Sequence, residues 1–397
     1  MRAWPRLLGL LLFGAFVGLG AAEVLLRVVP WPERRAHVGS DPVRHHRLRA
    51  GWQGTVQGHA FEVNALSLRE RELEIPATPG TRRIVMLGDS FTEGGGLAAA
   101  DTVPRRLEAL LATRCPGIAV LNAGTASYSP ILHYLVMREL GARLRPDLVI
   151  LNFDLTDVHD DLVRTALAEL DTAGLPIRVP NDRRRETAIV LPPVLPAAVR
   201  PFEARLSGLA LWQALRRSWL GKRMLGELNL DEATLAARGL LGDLHYDRLA
   251  ITRETPGDGE AAAWELTARY LAGIQRLAAG ANARFVVVTY PYAHQVAAHE
   301  SPEGRPGFGV GAGLYTSERP FRTLEAIGRR YEFPVLTLVE AFRRATTPSR
   351  PLFRRDDIHH TPEGARVMSE GIARGLLERE LVPGCGASET KPTRGSG

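Results

Sequence analysis

The sequence predicts an α/β protein in which helices cover both faces of a parallel sheet. Several runs of consecutive apolar residues have the length of strands, and segments with the apolar periodicity of amphipathic helices separate them. Continuous apolar runs are typical of strands buried on both faces, as in parallel sheets. A chain of 397 residues with 45% hydrophobic and 24% charged residues is long enough to bury such a core.

The predicted core elements alternate along the chain. The first strand begins at Arg83 and ends at Gly88-Asp89-Ser90, and Asp101 or Thr102 can cap the helix that follows. The later elements are strands at 118–121, 148–153, 285–289 and 335–339 and helices at 131–144, 264–277, 321–331 and 362–377.

The N-terminus predicts export across a membrane. Arg2 and Arg6 precede an uncharged apolar run at 7–22, which is a positive region followed by a hydrophobic one. A signal anchor over residues 1–27, with its amino end in the cytoplasm, is the favoured interpretation. Small residues at Gly20 and Ala22 leave a cleaved signal peptide, and hence secretion, as the alternative. In the favoured case the rest of the chain is periplasmic, tethered to the cytoplasmic membrane by a single span.

The rest of the chain divides by composition. Residues 28–82 are predicted to be a linker with short strands, because 28–52 has no sustained period whereas 55–69 alternates. Residues 83–380 form the folded domain. Within it, 162–263 breaks the alternation and predicts an inserted helical lid or cap, whose apolar residues line a ligand pocket or simply pack. The tail at 381–397 is low in apolar residues and predicted to be disordered.

Charge and cysteine content exclude some functions. The net charge is +6, the arginines are spread along the chain and no nucleic-acid-binding module accompanies them, so no nucleic-acid partner is expected. Cys115 and Cys385 show neither metal-ligand spacing nor a disulfide framework, and they leave the redox compartment undecided.

A serine directly after a buried strand is a candidate nucleophile. Ligands of an open α/β sheet bind at the carboxyl ends of its strands, so Ser90 would present its hydroxyl to that crevice. A serine hydroxyl needs a general base, and the base needs an acid that orients it.

The loop before the last predicted helix offers both groups. It contains Asp356, Asp357 and His359, and a carboxylate two or three residues before a histidine can reach its Nδ1 and leave Nε2 free for the serine. Thr361 can cap the helix with Pro362 at its first position, which fixes the exit of the loop and so the direction of the imidazole.

These segments resemble the motifs of the SGNH or GDSL hydrolase superfamily over most of residues 83–377. VMLGDSFTEG resembles the first block, VLNAGTASYSP the second and DDIHHTPEG the fifth, while LVILNFDLTDVHDD occupies the place of the third. The anchor and the segment VNALSLRER also resemble membrane-tethered bacterial members. The resemblance implies a three-layer α/β/α sandwich of the flavodoxin-like type, and no cofactor is expected.

The resemblance assigns the catalytic roles to Ser90 as nucleophile and His359 as base. The family's three-residue spacing selects Asp356 as the orienting acid, and the two-residue spacing of some relatives selects Asp357. Asp356 is preferred. His360 is expected to be a packing or surface residue.

Two positions depart from the family pattern. Ser127 stands where the family usually has a glycine whose backbone N–H binds the oxyanion, and Thr156 stands where it usually has an asparagine. Both are candidate oxyanion donors, with simple loop hydrogen bonding as the alternative; Asn152 is badly placed in mid-strand. Losing one donor costs on the order of 100-fold or more in rate, so low turnover is predicted. The acidic run at 157–161 is expected to be a solvated turn, and no metal site is predicted.

Three functions remain open at this stage. The leading hypothesis is a membrane-tethered serine esterase or deacylase that hydrolyses a small-molecule, lipid or polysaccharide ester through an acyl-enzyme on Ser90. The alternatives are an O-acyltransferase acting on a sugar hydroxyl and a non-catalytic envelope glycan-binding protein.

Overall fold

The computed structural model describes residues 4–28, 36–182, 185–186, 206, 209–217, 232–305, 309–311, 313–382 and 384–385. Its strands, in chain order, are β1 (Val38–Asp41), β2 (His45–Leu48), β3 (Gln53–Val56), β4 (His59–Glu62), β5 (Arg82–Gly88), β6 (Ile118–Gly124), β7 (Leu148–Phe153), β8 (Glu169–Leu170), β9 (Pro176–Arg178), β10 (Arg284–Thr289) and β11 (Val335–Thr337). Its α-helices are α1 (Trp4–Val28), α2 (Ser90–Glu93), α3 (Val103–Ala112), α4 (Pro130–Leu144), α5 (Asp157–Thr165), α6 (Ala210–Arg217), α7 (Glu232–Ala237), α8 (Glu260–Gly280), α9 (Ala293–Val296), α10 (Arg319–Tyr331), α11 (Val339–Ala345) and α12 (Pro362–Glu378).

The central sheet has five strands in the order β6-β5-β7-β10-β11, and every neighbouring pair is parallel. Its inner strands are continuous apolar runs, and Leu148 to Leu151 in β7 are fully buried. Helix α3 packs with α12, and α4 packs with α8, so helices flank the sheet in a three-layer α/β/α arrangement. The predicted flavodoxin-like fold class is confirmed.

The strand order reverses beside β5, because the chain passes from β5 to β6 on one side and then to β7 on the other. In open α/β sheets such a switch point leaves a crevice at the carboxyl ends of the strands. Here the crevice lies between the loops that follow β5 and β7.

The region predicted to be a linker contains two additional strands. β1 and β2 pair antiparallel, and Leu48 packs with Phe61 and Val63 in a small second core. Strands this short, with histidine, glycine and serine in them, lack the alternation that would reveal them in the sequence. The alternation at 55–69 predicts short strands; β3 and β4 pair antiparallel and begin two residues earlier, at Gln53.

The expectation about the cysteines is wrong. Cys115 and Cys385 form a disulfide with their Cα atoms 5.2 Å apart, and it joins the end of the chain to the segment between α3 and β6. Val382 is buried. The structured part therefore extends past the predicted boundary at 380 to Cys385, and the rest of the predicted disordered tail, 386–397, lies outside the described residues.

The predicted insert is only partly described. α5 continues to Thr165, β8 and β9 form a small antiparallel pair, and α6 lies within the segment predicted to be a helical lid. Most of 187–231, including the proline-rich stretch VLPPVLPAAVRP, lies outside the described residues, so the lid remains a prediction.

Helix α1 contains a 20-residue stretch, Gly9–Val28, that is long and apolar enough to cross a membrane, a test that a signal sequence also passes. Its large apolar side chains are exposed, Phe16 by 77%.

Candidate active site

Ser90 lies at the carboxyl end of β5, as the first residue of α2. The strand ends at Gly88, and the Asp89 carboxylate accepts a hydrogen bond of 2.9 Å from the backbone N–H of Phe91 and so caps the short helix. A Cβ on Gly88 would collide with the Thr92 hydroxyl, so only glycine lets the chain turn this tightly into the helix. The turn presents the Ser90 hydroxyl at the switch-point crevice.

His359 meets Ser90 from a loop at the other end of the chain. The backbone N–H of Arg354 donates to the His359 carbonyl at 2.9 Å, and Thr361 caps α12 through a hydrogen bond from Gly364 N–H at 3.1 Å. This fixed loop brings His359 Nε2 to 2.8 Å from Ser90 Oγ. The cap and the helix start at Pro362 are as predicted.

The acid beside His359 is Asp357 and not the preferred Asp356. Asp357 Oδ1 is 2.8 Å from His359 Nδ1, whereas Asp356 is exposed. Ile358 turns into the core and leaves its two neighbours together at the edge of the site, which explains the two-residue spacing. Burial acts to raise the pKa of Asp357, but the hydrogen bond and charge of His359 outweigh it, so the pKa is lowered and the carboxylate stays ionised.

Ser127 has the backbone geometry of a glycine. Its φ of +62° lies in the left-handed region, which fits the family's usual residue at this position. In the part of the chain that the structure describes, neither the Ser127 N–H nor the Ser90 N–H donates to a protein acceptor. The Gly124 N–H donates to Asn122 Oδ1 at 3.0 Å. Ser90 and Ser127 therefore keep backbone donors for a ligand, and Gly124 does not.

Thr156 makes local hydrogen bonds, which is the alternative to its role as an oxyanion donor. Its hydroxyl and its backbone N–H both donate to Asp154 Oδ1, at 2.6 and 2.7 Å. Tyr292 donates to the same carboxylate at 2.8 Å and Tyr290 at 3.1 Å. Because a hydroxyl has a single hydrogen, Thr156 cannot donate it to an oxyanion while it serves Asp154. Asn152 is fully buried and donates to the Thr92 hydroxyl at 2.8 Å, also away from a ligand.

The acidic run at 157–161 is not the expected solvated turn. It begins helix α5, and its three aspartates are buried. Burial and neighbouring carboxylates raise the pKa of Asp157 well above its usual range. Asp160 differs, because Arg248 and Arg164 outweigh its burial and lower its pKa. The described residues contain no group that could hold a metal ion.

Glu93 joins the nucleophile's helix to the loop that carries Ser127, a link that the sequence did not reveal. Its side chain is buried, and Oε2 accepts a hydrogen bond of 2.7 Å from the backbone N–H of Ala126. Arg69, itself buried, donates to the carbonyls of Glu93 and Gly94 at 2.8 and 2.6 Å. Burial lowers the pKa of Arg69 to about 10. These contacts fix the Ser127 loop relative to Ser90.

His46 and His360 have structural contacts in place of a catalytic role. His46, in the region predicted to be a linker, is buried and lies with Nε2 2.8 Å from the Ala126 carbonyl, so β2 also supports the Ser127 loop. His360 packs among aromatic rings, those of Phe91 and Phe353 at 4.7 and 5.0 Å. Burial lowers the pKa of His360 to about 3, so the ring is neutral and serves as packing, as expected.

Comparisons with known proteins give matches among solved structures. The chain is similar to TesA (11% identity, 75% of this chain and 99% of that one, TM-score 0.38). It is also similar to a GDSL-like lipase from Bacteroides thetaiotaomicron (13%, 77% and 93%, TM-score 0.35) and to a lipase/acylhydrolase from Enterococcus faecalis (13%, 75% and 97%, TM-score 0.37). No protein-family model matches, and no curated protein does. At these identities and TM-scores the matches carry no argument about activity, which depends on the geometry of the site.

Proposed function

We propose that the protein is a serine esterase or deacylase that hydrolyses carboxylic esters through an acyl-enzyme on Ser90. The observation that carries this proposal is the continuous relay from Asp357 through His359 to Ser90, in which both hydrogen bonds are 2.8 Å long. An acid, a base and a hydroxyl in this order form the arrangement that activates a serine for acyl transfer.

In the proposed reaction Ser90 Oγ attacks the ester carbonyl carbon and His359 Nε2 takes the hydroxyl proton. The backbone N–H groups of Ser90 and Ser127 stabilise the oxyanion that forms. When the bond to the alcohol oxygen breaks, His359 returns the proton to that oxygen. Water then attacks the acyl carbon, His359 takes its proton and passes it to Ser90 Oγ, and the acid leaves. Throughout the reaction, the Asp357 carboxylate accepts a hydrogen bond from His359 Nδ1–H and stabilises the imidazolium.

The oxyanion side of the site supports slow turnover. Two backbone donors are available, but the Thr156 hydroxyl is committed to Asp154. Removing one oxyanion donor typically costs on the order of 100-fold to 1,000-fold in kcat. We therefore infer that the Asp357–His359–Ser90 relay is intact, that two backbone N–H groups bind the oxyanion, and that turnover is slow.

We infer that the catalytic domain lies on the outer side of the cytoplasmic membrane. Arg2 and Arg6 precede the apolar stretch of α1, which favours a cytoplasmic amino end. The Cys115–Cys385 disulfide is typical of an oxidising compartment such as the periplasm. This location makes O-acylated envelope glycans and lipid esters the substrates we favour, and cleavage of α1 would leave the domain on the same side.

Steady-state hydrolysis of p-nitrophenyl acetate and butyrate tests the proposal. The full chain in detergent should hydrolyse at least one of them, and Ser90→Ala should lower kcat by about 1,000-fold or more at unchanged thermal stability. An unchanged rate in Ser90→Ala, or no hydrolysis by the intact protein, would count against the proposal.

A further inference from the structure

Arg248 lies at the edge of the crevice and is not used by the reaction described above. It follows α7 in the chain, and its Nη2 donates to both oxygens of Asp160, at 3.0 and 3.2 Å. Asp160 is buried, whereas 44% of the Arg248 side chain is accessible to solvent. Part of the guanidinium group is therefore open to solvent while a buried carboxylate holds the rest.

Arg248 lies on the same side of the sheet as Ser90. Its partner Asp160 lies one turn after Thr156 on α5, and the Asp160 N–H donates to the Thr156 carbonyl at 2.9 Å. Tyr292 donates to Asp154, the residue that follows β7, and the ring centroid of Tyr292 is 6.1 Å from that of Phe91, the residue after Ser90. Arg248 therefore lies at the carboxyl-end side of the sheet, where Ser90 also lies.

The charge around Asp160 is not balanced. Besides Arg248, the Asp160 carboxylate lies 3.3 Å from Arg164 Nη1 and 2.9 Å from His159 Nδ1. The guanidinium groups of Arg248 and Arg164 therefore share one carboxylate. Asp154 lies nearby, but its carboxylate is already bound by Thr156 and Tyr292. Asp157 is buried. Glu186 also lies near this cluster, but it is paired with His45 at 3.3 Å.

Arg164 and Arg248 differ in how many of their N–H groups are free to bind a ligand. Arg164 is buried, and it donates to the Ser129 hydroxyl and to the Ser127 carbonyl. Among the described residues, the Nε and Nη1 groups of Arg248 donate to no protein acceptor. An exposed edge of a guanidinium held from behind by a carboxylate has the planar pair of donors that binds a carboxylate or a phosphate group.

We propose that Arg248 binds an anionic group of the substrate, so that the enzyme prefers esters that carry a carboxylate or phosphate near the scissile bond. This inference rests on the proposed esterase function and narrows its substrate class. Asp160 is the positioning residue, because it holds the guanidinium at the rim.

The kinetic test compares p-nitrophenyl hydrogen succinate, which carries a carboxylate, with its neutral methyl ester. The rate without enzyme is subtracted for each, because a neighbouring carboxylate speeds the uncatalysed hydrolysis of the first. The intact chain in detergent should favour the anionic ester in kcat/KM, and Arg248→Gln should reduce kcat/KM for that ester about tenfold while changing the neutral ester less than about twofold. Glutamine keeps an N–H donor for Asp160, so the site should fold. Arg330→Gln is the matched control. Arg330 is an exposed arginine on α10 and, like Arg248, it is paired with a carboxylate, that of Glu265 at 2.6 Å.

Two outcomes would overturn the proposal. Equal losses on both esters in Arg248→Gln would assign Arg248 a structural role alone, and a wild-type preference for the neutral ester would contradict an anion site. High salt should weaken the preference for the anionic ester if a charge is recognised.

A binding experiment separates this proposal from the esterase function. With Ser90→Ala as the background, NMR titration with monomethyl succinate should show binding that weakens about tenfold on adding Arg248→Gln, while dimethyl succinate should bind equally to both proteins. This result does not require turnover, so it holds if the chain proves not to be an esterase. Identical titrations of both ligands in both proteins would reject the anion site, whatever the activity.

Discussion

Ser90 and His359 are 269 positions apart in the chain, and their reactive atoms lie 2.8 Å apart. Each residue is presented by its own rigid feature, the turn at the end of β5 and the loop before α12. Because the turn and the loop position the two side chains independently, the distance between Ser90 and His359 depends on the fold of the whole sheet.

The two neighbouring aspartates give a matched pair of substitutions. Asp357→Asn should lower kcat by about 1,000-fold to 10,000-fold, because the amide cannot hold His359 in the required tautomer. Asp356→Asn should stay within about twofold of the wild type, since this side chain is exposed. Steady-state kinetics on p-nitrophenyl acetate measure both, and the reverse order would assign the acid to Asp356.

Glu93 should act on kcat through the position of the Ser127 loop. Glu93→Leu removes the acceptor of the Ala126 N–H and should reduce kcat about tenfold to 100-fold with little change in KM, because oxyanion donors act in the transition state. Glu93→Gln keeps an acceptor oxygen at the same place and should recover most of the rate. If KM rose and kcat stayed the same in Glu93→Leu, Glu93 would not position the oxyanion donors.

Among the residues of the site, those that belong to a sequence motif could be predicted, and those whose role depends on tertiary contacts could not. Ser90 and His359 follow from short patterns beside a strand and a helix start. The choice of Asp357 depends on the burial of Ile358, and the contact of Glu93 depends on a loop 33 positions away. Neither dependence has a local signal in the sequence.

Helix α5 shows at the element scale how tertiary structure overrides local composition. An acidic, polar run is typical of a solvated turn, but here it begins a helix buried against α4 and α8. Asp161 accepts hydrogen bonds of 2.9 Å from the Ile131 N–H at the start of α4 and from the Thr267 hydroxyl on α8. One carboxyl thus joins three helices.

Asp161 should make stability depend on pH. Burial raises its pKa from 3.8 to about 7, so the folded protein binds this proton more tightly than the unfolded chain does. Its contribution to stability is complete below about pH 4 and is lost as the pH rises through 7. Asp161→Asn does not titrate and keeps an acceptor for Ile131.

Denaturant unfolding at pH 5.5 and 8.5 measures this contribution. The free energy of unfolding should fall with pH on the order of 2 kcal/mol more in the wild type than in Asp161→Asn. The other buried carboxyls are common to both proteins, so the difference isolates Asp161. Equal pH dependence in the two proteins would show that Asp161 is ionised in the folded state.

The core strands are predictable within a few residues because continuous apolar runs mark them, as Leu148–Phe153 does for β7. The N-terminal pair β1 and β2 is not, because its four-residue strands become stable by packing on the Ser127 loop and the small second core. Their side chains show no alternation along the sequence.

At the scale of the whole molecule, the disulfide ties the end of the chain to the sheet. Cys115 and Cys385 are 270 positions apart, and such a separation gives no spacing signal from which pairing could be predicted. The bridge holds the segment after α12 beside the start of β6. It is also the structural feature that best fits an exported protein.

Replacing one cysteine should destabilise the domain while leaving the active site assembled. Cys385→Ser should lower the free energy of unfolding by about 2–4 kcal/mol, because a cross-link over a long loop constrains the unfolded chain. Reductant should destabilise the wild type to the same extent and leave Cys385→Ser unaffected. Thermal unfolding with and without reductant checks this, and an insensitive wild type would mean that the bridge is absent in the folded protein.

Fluorophosphonate labelling of the intact chain, followed by peptide mass spectrometry, tests the central claim most directly. The relay predicts a single covalent adduct on Ser90, strongly slowed in His359→Ala and Asp357→Asn and unaffected in Asp356→Asn. A folded protein that takes up no probe, or that is labelled at the same rate without His359, would contradict the proposal that this histidine activates Ser90.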